Sequence, residues 1–103
     1  MFRALERRGV VLVRQHRIQT SIGAIHLDGA DPGISWGLEV DHVTWHGGRL
    51  DAQYDKIRDR AARLVGWQIE RVTDLELGER FDQVLDELAA LHAMRCRARH
   101  RAA

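Results

Sequence analysis

Residues 24–41 read AIHLDGADPGISWGLEVD, and the clearest pattern of secondary structure in the chain lies in this stretch. The segments 24–28 and 36–41 alternate apolar and polar side chains, which predicts two β-strands with one face on the core. Between them, Asp-Pro-Gly at 31–33 predicts a tight turn, because Pro presets φ at one central position and Gly accepts a positive φ at the next. We therefore expect an antiparallel hairpin.

The hairpin collects acidic side chains on one of its faces. Glu39 and Asp41 are two residues apart, so both side chains leave the strand on the same side. A tight turn at the Pro-Gly pair sets Asp28 diagonal to Glu39, with roughly 7–8 Å between their Cα atoms, and sets His26 directly opposite Glu39. Three carboxylates and an imidazole are therefore expected on one patch, with no Lys or Arg near them in sequence.

This acidic patch has two interpretations. Carboxylates packed together repel and raise each other's pKa unless a cation neutralises them. Mg²⁺ prefers oxygen ligands, usually one or two protein carboxylates with several waters, so the patch suits a magnesium site. The alternative is the polar outer face of an ordinary antiparallel hairpin. Asp31 is assigned to turn chemistry, because aspartate is frequent in turns of this kind.

The rest of the chain supplies further helices and strands around the hairpin. Apolar periodicity and glycine breaks predict helix 2–8, strand 10–18, helix 50–65, strand 67–72 and helix 79–95. The order is α-β-β-β-α-β-α. A helical crossover joins the third and fourth strands, so they are expected to be parallel. The predicted class is α/β, with helices around a single mixed sheet of the α+β type.

Charge is unevenly distributed, although the 103-residue chain carries a net charge of only +1. Residues 1–17 hold five Arg and one Glu, and residues 93–103 hold four Arg and no acid. Residues 18–48 hold four acids and no Lys or Arg. The basic ends are either solvated surface or a phosphate-binding rim around an anionic centre. We divide the chain into one domain, 1–95, and an Arg-rich tail, 96–103.

Cysteine usage and hydropathy exclude several protein classes. Cys96 is the single cysteine, which excludes an internal disulfide framework and a cysteine-based zinc site. No uncharged apolar run is long enough to cross a bilayer, and the N-terminus lacks the apolar segment of a signal peptide. A cytoplasmic location is the expectation that follows. No base or partner is expected near Cys96, and His92 is expected at the surface.

Six short segments form an ordered series along most of the chain. They are LDGADP at 27–32, LEVD at 38–41, WHGG at 45–48, DKIRDR at 55–60, LVGW at 64–67 and RVT at 71–73. The series resembles the very-short-patch-repair (Vsr-like) endonuclease domains of the PD-(D/E)XK nuclease superfamily. The resemblance extends over roughly residues 4–92. It implies a restriction-endonuclease-like αβββαβ core, here followed by one more helix, and a metal-dependent endonuclease activity on DNA.

The resemblance implies catalytic roles for four residues. Asp28 matches the first acid of the superfamily motif and Glu39 the second, so both are expected to bind Mg²⁺, for which Mn²⁺ can substitute. Asp41 stands at the third position, where many members carry Lys, and is expected to join the metal site. His46 is expected to position or deprotonate the attacking water, or to donate a hydrogen bond to the scissile phosphate. A cation at this place lowers the pKa of that water and neutralises charge on the phosphate.

The resemblance also implies contacts with DNA. Lys56 and Arg58 are expected to bind backbone phosphates. The spacing of Arg58 from Asp55 and Asp59 equally suits plain ion pairs on a helix surface. Trp45 borders the predicted catalytic histidine and is the best candidate to stack on a base, with packing as the other interpretation. The other two tryptophans are expected to pack in the core or at the sheet edge.

The chain departs from the family pattern in several places, including Asp31 where an aromatic residue is common and Gly29 within a strand. His42 follows the acidic strand where Gly is common. The first helix is short and has no acid matching the Glu that supports the metal in many relatives. Two alternatives therefore stay open. One is a catalytically weak or inactive DNA-binding or interaction module of the same fold, and the other is a subunit completed by a second copy or by a partner chain.

Overall fold

Four strands and four helices make up the part of the chain that the computed structural model describes, residues 1–43 and 49–102. Side-chain burial is described for 1–43 and 53–101. The elements are α1 (Phe2–Glu6), β1 (Val13–Thr20), β2 (Gly23–Asp31), a 3-10 turn (Pro32–Ile34), β3 (Trp36–Asp41), α2 (Arg49–Leu64), β4 (Gln68–Thr73), α3 (Asp74–Glu79) and α4 (Phe81–Ala102). The expected α/β class is confirmed at this level.

The strands form one mixed sheet in the order β1-β2-β3-β4. Neighbours are antiparallel from β1 to β3, because turns of a few residues join them. β3 and β4 are parallel, as predicted, because α2 returns the chain to the same end of the sheet. The paired residues run from Trp36–Gln68 to Asp41–Thr73. The acidic strand β3 therefore lies in the interior of the sheet, between two hydrogen-bonded neighbours.

The sheet buries a separate apolar cluster on each face. Trp36 and Leu38 of β3 pack with α1 and α4 in the larger cluster, whose buried members are Ala4, Leu5, Val10, Trp36, Leu38, Val72, Val84, Leu85 and Leu88. The second cluster lies under α2 and contains Ile18, Ile25, Leu27, Ala30, Ala61 and Ala62. Because side chains alternate along a strand, Glu39 and Asp41 point to the α2 face. The site is consequently built between β3 and α2.

The connection between β2 and β3 differs from the predicted tight turn. Asp31 pairs with Trp36, so four residues separate the strands instead of two. Pro32 begins a 3-10 turn, and Ser35 closes the connection with a φ of 51° in the left-handed region. The fixed φ of proline suits the first position of such a turn. The register is therefore shifted by two residues from the predicted one, and it brings Asp28 directly opposite Glu39.

The N-terminal boundaries also differ slightly from the prediction. α1 ends at Glu6, and Gly9 has a φ of 85°, which breaks the helix as expected. The backbone N–H of Val10 donates to Leu5 O at 2.9 Å. Val10 is buried in the larger cluster and precedes the strand, so β1 begins at Val13 and not at residue 10.

The C-terminal region is more helical than predicted. Thr73 caps α3, which the prediction missed: its hydroxyl accepts the Glu76 N–H at 3.1 Å, and the Glu76 carboxylate accepts the Thr73 N–H at 2.9 Å. The Thr-x-x-Glu spacing is the sequence signal for this capping box. α4 continues to Ala102, so the predicted Arg-rich tail forms its last turns. No helix in the described part of the chain has the length and apolarity needed to cross a membrane.

Candidate functional site

Asp28 and Glu39 face each other where β2 and β3 separate. The ladder of paired residues between these strands ends at Gly29–Leu38, and side chains replace it at the next position. The backbone N–H of Asp28 donates to Glu39 Oε1 at 3.3 Å, and the N–H of Val40 donates to Asp28 Oδ2 at 2.8 Å. Each carboxylate is thus held by the backbone of the opposite strand.

β1 is irregular at the same level of the sheet. The β1–β2 ladder skips the position at which Gln15 stands opposite Asp28. Gln15 has a φ of 54°, a conformation that residues other than glycine rarely adopt. Backbone outliers of this kind cluster at functional sites, where the surrounding structure holds them in place. Asp28 therefore sits at an interruption of the sheet on both of its sides.

Glu39 is a buried carboxyl group with only 8% of its surface exposed. Burial and, next, the nearby negative charge of Asp28 raise the pKa of this carboxyl, which comes to about 7 on balance. The positive charges of Arg58 and Arg71 act in the opposite direction. A buried pair of like charges is costly unless a cation neutralises it. The pair is therefore poised to take up either a proton or a cation near neutral pH.

The donor set of this pair fits a hard cation. Among the described residues, neither Asp28 Oδ1 nor Glu39 Oε2 takes part in a hydrogen bond. Mg²⁺ is commonly held by one or two protein carboxylates while it keeps several waters. Within residues 1–43 and 49–102, however, no group of three or more His, Cys, Asp or Glu side chains is placed to hold a metal ion. The structure brings together a pair of carboxylates and not the expected three.

Asp41 lies on the same face but is bound to an arginine of the neighbouring strand. Arg71 Nη1 donates to Asp41 Oδ1 at 2.8 Å. The same guanidinium donates to Asp59 Oδ1 of α2 from Nε at 3.0 Å and from Nη2 at 2.8 Å. Asp55 Oδ1 lies 3.9 Å from Nη2. Asp41 therefore anchors Arg71, which joins β3, β4 and α2. The expectation that Asp41 stands with Asp28 and Glu39 as one carboxylate cluster is corrected by this contact.

Arg71 is the residue beside this site that could not be placed there from the sequence pattern. Burial lowers the pKa of its guanidinium, but the hydrogen bonds and charges of Asp59, Asp41 and Asp55 raise it above its usual value on balance. The predicted ion pairs between Arg58 and its neighbours on α2 are replaced by these contacts. The sequence did hold an indication of this contact: an arginine in the middle of a predicted strand, and two acids four residues apart on the preceding predicted helix. That spacing places both acids on one helix face.

His26 does not join the acidic pair, contrary to the prediction. It is exposed and pairs with Arg17 on β1. The reason is the two-residue register shift, which places Asp28 in the position opposite Glu39 that His26 was predicted to take. The longer β2–β3 connection therefore places the His26 imidazole away from the acidic pair.

A cleft of about 300 Å³ opens beside Glu39 at the end of β3. Its lining residues are Glu39, Val40, Asp41, His42, Tyr54, Asp55 and Arg58. Arg58 brings a cation next to Glu39, and Tyr54 is exposed, with 59% of its surface accessible. Lys56 is exposed and is not part of this lining. Trp45 and His46, predicted to act here, lie outside the described residues.

A second polar cluster lies on the opposite face of the sheet. His92 was predicted at the surface, but only 8% of it is exposed, and that prediction is wrong. Its Nε2 lies 2.8 Å from Asp31 Oδ2, its ring packs edge-on to Trp36, and its Nδ1 lies 3.8 Å from Cys96 Sγ. Cys96 therefore has a neighbour that the sequence did not reveal. Asp31 ties the start of the β2–β3 connection to α4.

Comparison of the chain with models of protein families, with curated proteins and with solved structures finds no match. The main features of the candidate site are the Asp28–Glu39 pair and the cleft that opens beside it.

Proposed function

We propose that this protein is a Mg²⁺-dependent DNA endonuclease of the Vsr-like PD-(D/E)XK type. The observation that carries the proposal is the Asp28–Glu39 pair, held by backbone N–H groups where two strands of the sheet separate. The element order and the parallel β3–β4 pair are compatible with the αβββαβ core that the sequence resemblance implies. Both acids also stand at the positions at which the resemblance expects metal ligands.

Asp28 and Glu39 are the proposed ligands of Mg²⁺, each with one carboxylate oxygen that makes no hydrogen bond among the described residues. When bound, the cation supplies a Lewis acid that lowers the pKa of water and offsets charge on a phosphate. Arg58 lines the adjoining cleft, where its guanidinium is available to donate to a phosphate oxygen. His46 remains the proposed residue for handling the proton of the attacking water. Asp41 is left out of the ligand pair because Arg71 binds it.

A specific observation also favours a catalytically weak DNA-binding module of the same fold. The residue at the third motif position, Asp41, is committed to Arg71, and no lysine is present among the residues that line the cleft. A site with two carboxylates and no nearby lysine has fewer groups to stabilise the charge that develops during hydrolysis. This second candidate predicts DNA binding without metal-dependent cleavage.

Nicking of supercoiled plasmid separates the two candidates. The protein is incubated with plasmid in Mg²⁺, in Mn²⁺ and in EDTA, beside a Glu39→Gln variant. Glu70→Gln is the matched control, because Glu70 lies on the adjacent strand but is paired with Leu38, whose side chain faces the other side of the sheet. Cleavage that disappears in EDTA and in Glu39→Gln but persists in Glu70→Gln supports the nuclease.

The other outcomes each contradict part of the proposal. Cleavage that survives Glu39→Gln places the chemistry elsewhere. DNA retarded on a gel without cleavage supports the binding module instead. If the protein neither binds nor cleaves DNA, both candidates are contradicted for the chain alone. The molecular mass in solution then tests for the second copy that a composite site requires.

A further inference from the structure

A cavity of about 540 Å³ lies at the opposite end of α2 from the Glu39 cleft. Its lining residues are Asp59, Arg63, Gly66, Trp67, Gln68, Ile69, Arg95 and Arg99. The volume falls within the range of small-molecule sites, roughly 300–1,000 Å³. Three of the lining side chains are arginines, whereas the one acid, Asp59, is already held by Arg71 through three hydrogen bonds. The cavity is therefore an uncompensated cationic pocket.

The guanidinium of Arg95 is fixed in this pocket by backbone carbonyls. Its Nε donates to Ile34 O at 2.9 Å, and its Nη2 donates to Gly66 O at 2.9 Å and to Ser35 O at 3.4 Å. Gly66 has a φ of 90° and Ser35 a φ of 51°, so two segments in left-handed conformation present these carbonyls. The Nη1 group makes no hydrogen bond among the described residues. Arg95 is thus preorganised with donors to spare.

Arg99 and Arg63 complete a like-charged group. Arg99 Nη2 donates to Ser35 Oγ at 3.0 Å, and within the described residues Arg63 makes no hydrogen bond. Burial lowers the pKa of Arg95, and the neighbouring charge of Arg99 acts in the same direction. Guanidinium groups gathered in this way repel one another until an anion binds between them. Arginine forks match the oxygens of phosphate, and three of them suit an anion with several acceptor oxygens.

Trp67 adds an aromatic wall to the cavity. The indole is partly buried against the apolar cluster under α2, and the His16 ring packs on it with a centroid distance of 5.6 Å. Tryptophan offers a face on which a nucleobase can stack. The pocket therefore combines the two features by which proteins bind nucleotides, a cationic site for phosphate and a flat aromatic surface.

The cavity and the Glu39 cleft share helix α2, whereas Arg95 and Arg99 reach the cavity from α4 on the other face of the sheet. Arg58 of the cleft and Arg63 of the cavity are five residues apart on α2, which is about 7.5 Å along the helix axis. Between them, a small void is lined by Glu39 and Arg58 from one site and by Asp59 and Ile69 from the other. The two sites are therefore neighbours along α2.

We propose that the pocket formed by Arg63, Arg95, Arg99 and Trp67 binds a phosphate group of a nucleotide. Assigning that phosphate to the nucleic-acid strand that crosses the Glu39 cleft rests on the proposed function. The phosphate site itself rests on the cavity and its arginines. A free nucleotide offers the same chemistry, so the experiment has separate arms for the two sources.

The test measures binding in EDTA, which removes any dependence on cleavage. Fluorescence anisotropy with a labelled single-stranded oligonucleotide reports strand binding, and titration with ATP reports free-nucleotide binding. The variant Arg63→Ala/Arg99→Ala is compared with Arg60→Ala/Arg97→Ala, which removes the same charge from exposed positions of the same two helices outside the cavity lining. Thermal unfolding of both variants verifies that each one folds.

Loss of two charge-assisted contacts is expected to weaken oligonucleotide binding by about ten-fold or more in the cavity variant, and by much less in the control variant. Equal weakening in both variants overturns the proposal, because it shows diffuse electrostatic attraction alone. If ATP binds in an arginine-dependent way and the oligonucleotide does not, the phosphate site stands and its link to the nuclease function fails. If neither probe binds the wild-type chain, the phosphate site is overturned, whatever the plasmid assay shows.

Discussion

The carboxylate of Glu39 accepts the backbone N–H of Asp28 at 3.3 Å, one position beyond the last paired residues of β2 and β3. The backbone bond fixes Glu39 in place, while the carboxylate of Asp28 opposes its ionisation. The hydrogen bond itself favours the charged form of Glu39, but burial and the negative charge of Asp28 outweigh it and raise the pKa of the carboxyl. The pH dependence and the cation dependence of the molecule both follow from this relationship.

Glu39 is expected to make the folded state less stable as the pH rises. Its pKa is about 7 in the folded chain and near 4.5 when unfolded. Between these values the folded state holds a proton that the unfolded state has released, so stability falls through this window and stays lower above it. Urea unfolding of wild type and Glu39→Gln at several pH values measures this. Relative to wild type, the free energy of unfolding of the Gln variant is expected to rise by up to about 3 kcal/mol between pH 4.5 and 7.5.

A constant difference between the two proteins across that pH range would contradict the prediction. Glu70→Gln is the control, since it removes a carboxylate on the same sheet away from the pair. Its unfolding free energy is expected to follow that of the wild type at every pH.

Mg²⁺ is expected to raise the melting temperature of the wild-type chain. A ligand that binds only the folded state stabilises it by about 1.4 kcal/mol at ten times its Kd, which is about 5–10 °C for a chain of this size. Glu39→Gln and Asp28→Asn each remove a charged ligand and are expected to lose most of the shift. Differential scanning fluorimetry at pH 8 measures it. An equal shift in all three proteins would point to general salt effects.

Arg71→Ala is expected to destabilise the fold by about 2–4 kcal/mol, because it leaves three acids facing one another without their shared cation. Only 19% of the Arg71 side chain is exposed, so water does not replace it fully. Arg71→Lys is expected to recover only part of the loss. It keeps the positive charge, but an ammonium cannot donate to Asp59 and Asp41 at once as the planar guanidinium does. Urea unfolding measures both, with the exposed Arg60→Ala as control. A loss no larger than that of Arg60→Ala would contradict the bridging role.

The Asp31–His92 contact is expected to stabilise the fold by about 1–2 kcal/mol, as a partly buried hydrogen bond between distant segments. A double-mutant cycle with Asp31→Ala and His92→Ala isolates the coupling between the two side chains. His100→Ala is the control, because His100 is exposed on the same helix. Additive effects of the two substitutions would show that the contact contributes nothing of its own.

Gly37→Ala and Gly78→Ala are expected to act in opposite directions. A Cβ at Gly37 would lie 2.7 Å from Leu27 Cδ1 and 2.9 Å from Ile69 Cδ1, so the packing under α2 must shift at a cost of about 1–3 kcal/mol. A Cβ at Gly78 meets nothing within 4 Å. Because Gly78 lies in a helix, alanine there is expected to stabilise by about 0.5–1 kcal/mol. Chemical denaturation measures both. Destabilisation by Gly78→Ala would contradict this account.

Much of the fold could be predicted from local patterns. Apolar alternation indicated the four strands within a few residues, and the helical crossover indicated the parallel pair. The register of the hairpin could not be predicted in the same way, because it depends on whether Pro32 begins a tight turn or a 3-10 turn. That choice moved His26 away from Glu39 and moved Asp28 opposite to it.

The candidate site was only partly accessible to the same reasoning. Asp28, Glu39 and Asp41 were identified because their types and spacing are visible in one stretch. Arg71 was not expected near them, and Arg58 was expected at the site only through the family resemblance. Both arginines are distant in sequence and approach only when α2 packs on β3 and β4. Charges that meet across elements leave no periodic signal.

Apart from α3, the order of the elements could be read from the sequence, as could the face of β3 that carries its acids and the uneven distribution of charge, because each follows from neighbouring residues. Which groups meet became visible only in the tertiary structure: Asp28 with Glu39, Asp41 with Arg71, Asp31 with His92, and the arginines of α2 with those of α4. Such pairings depend on the turn register and on how two helices pack against opposite faces of one sheet. These relations join residues that are far apart in the chain, and local propensity does not encode them.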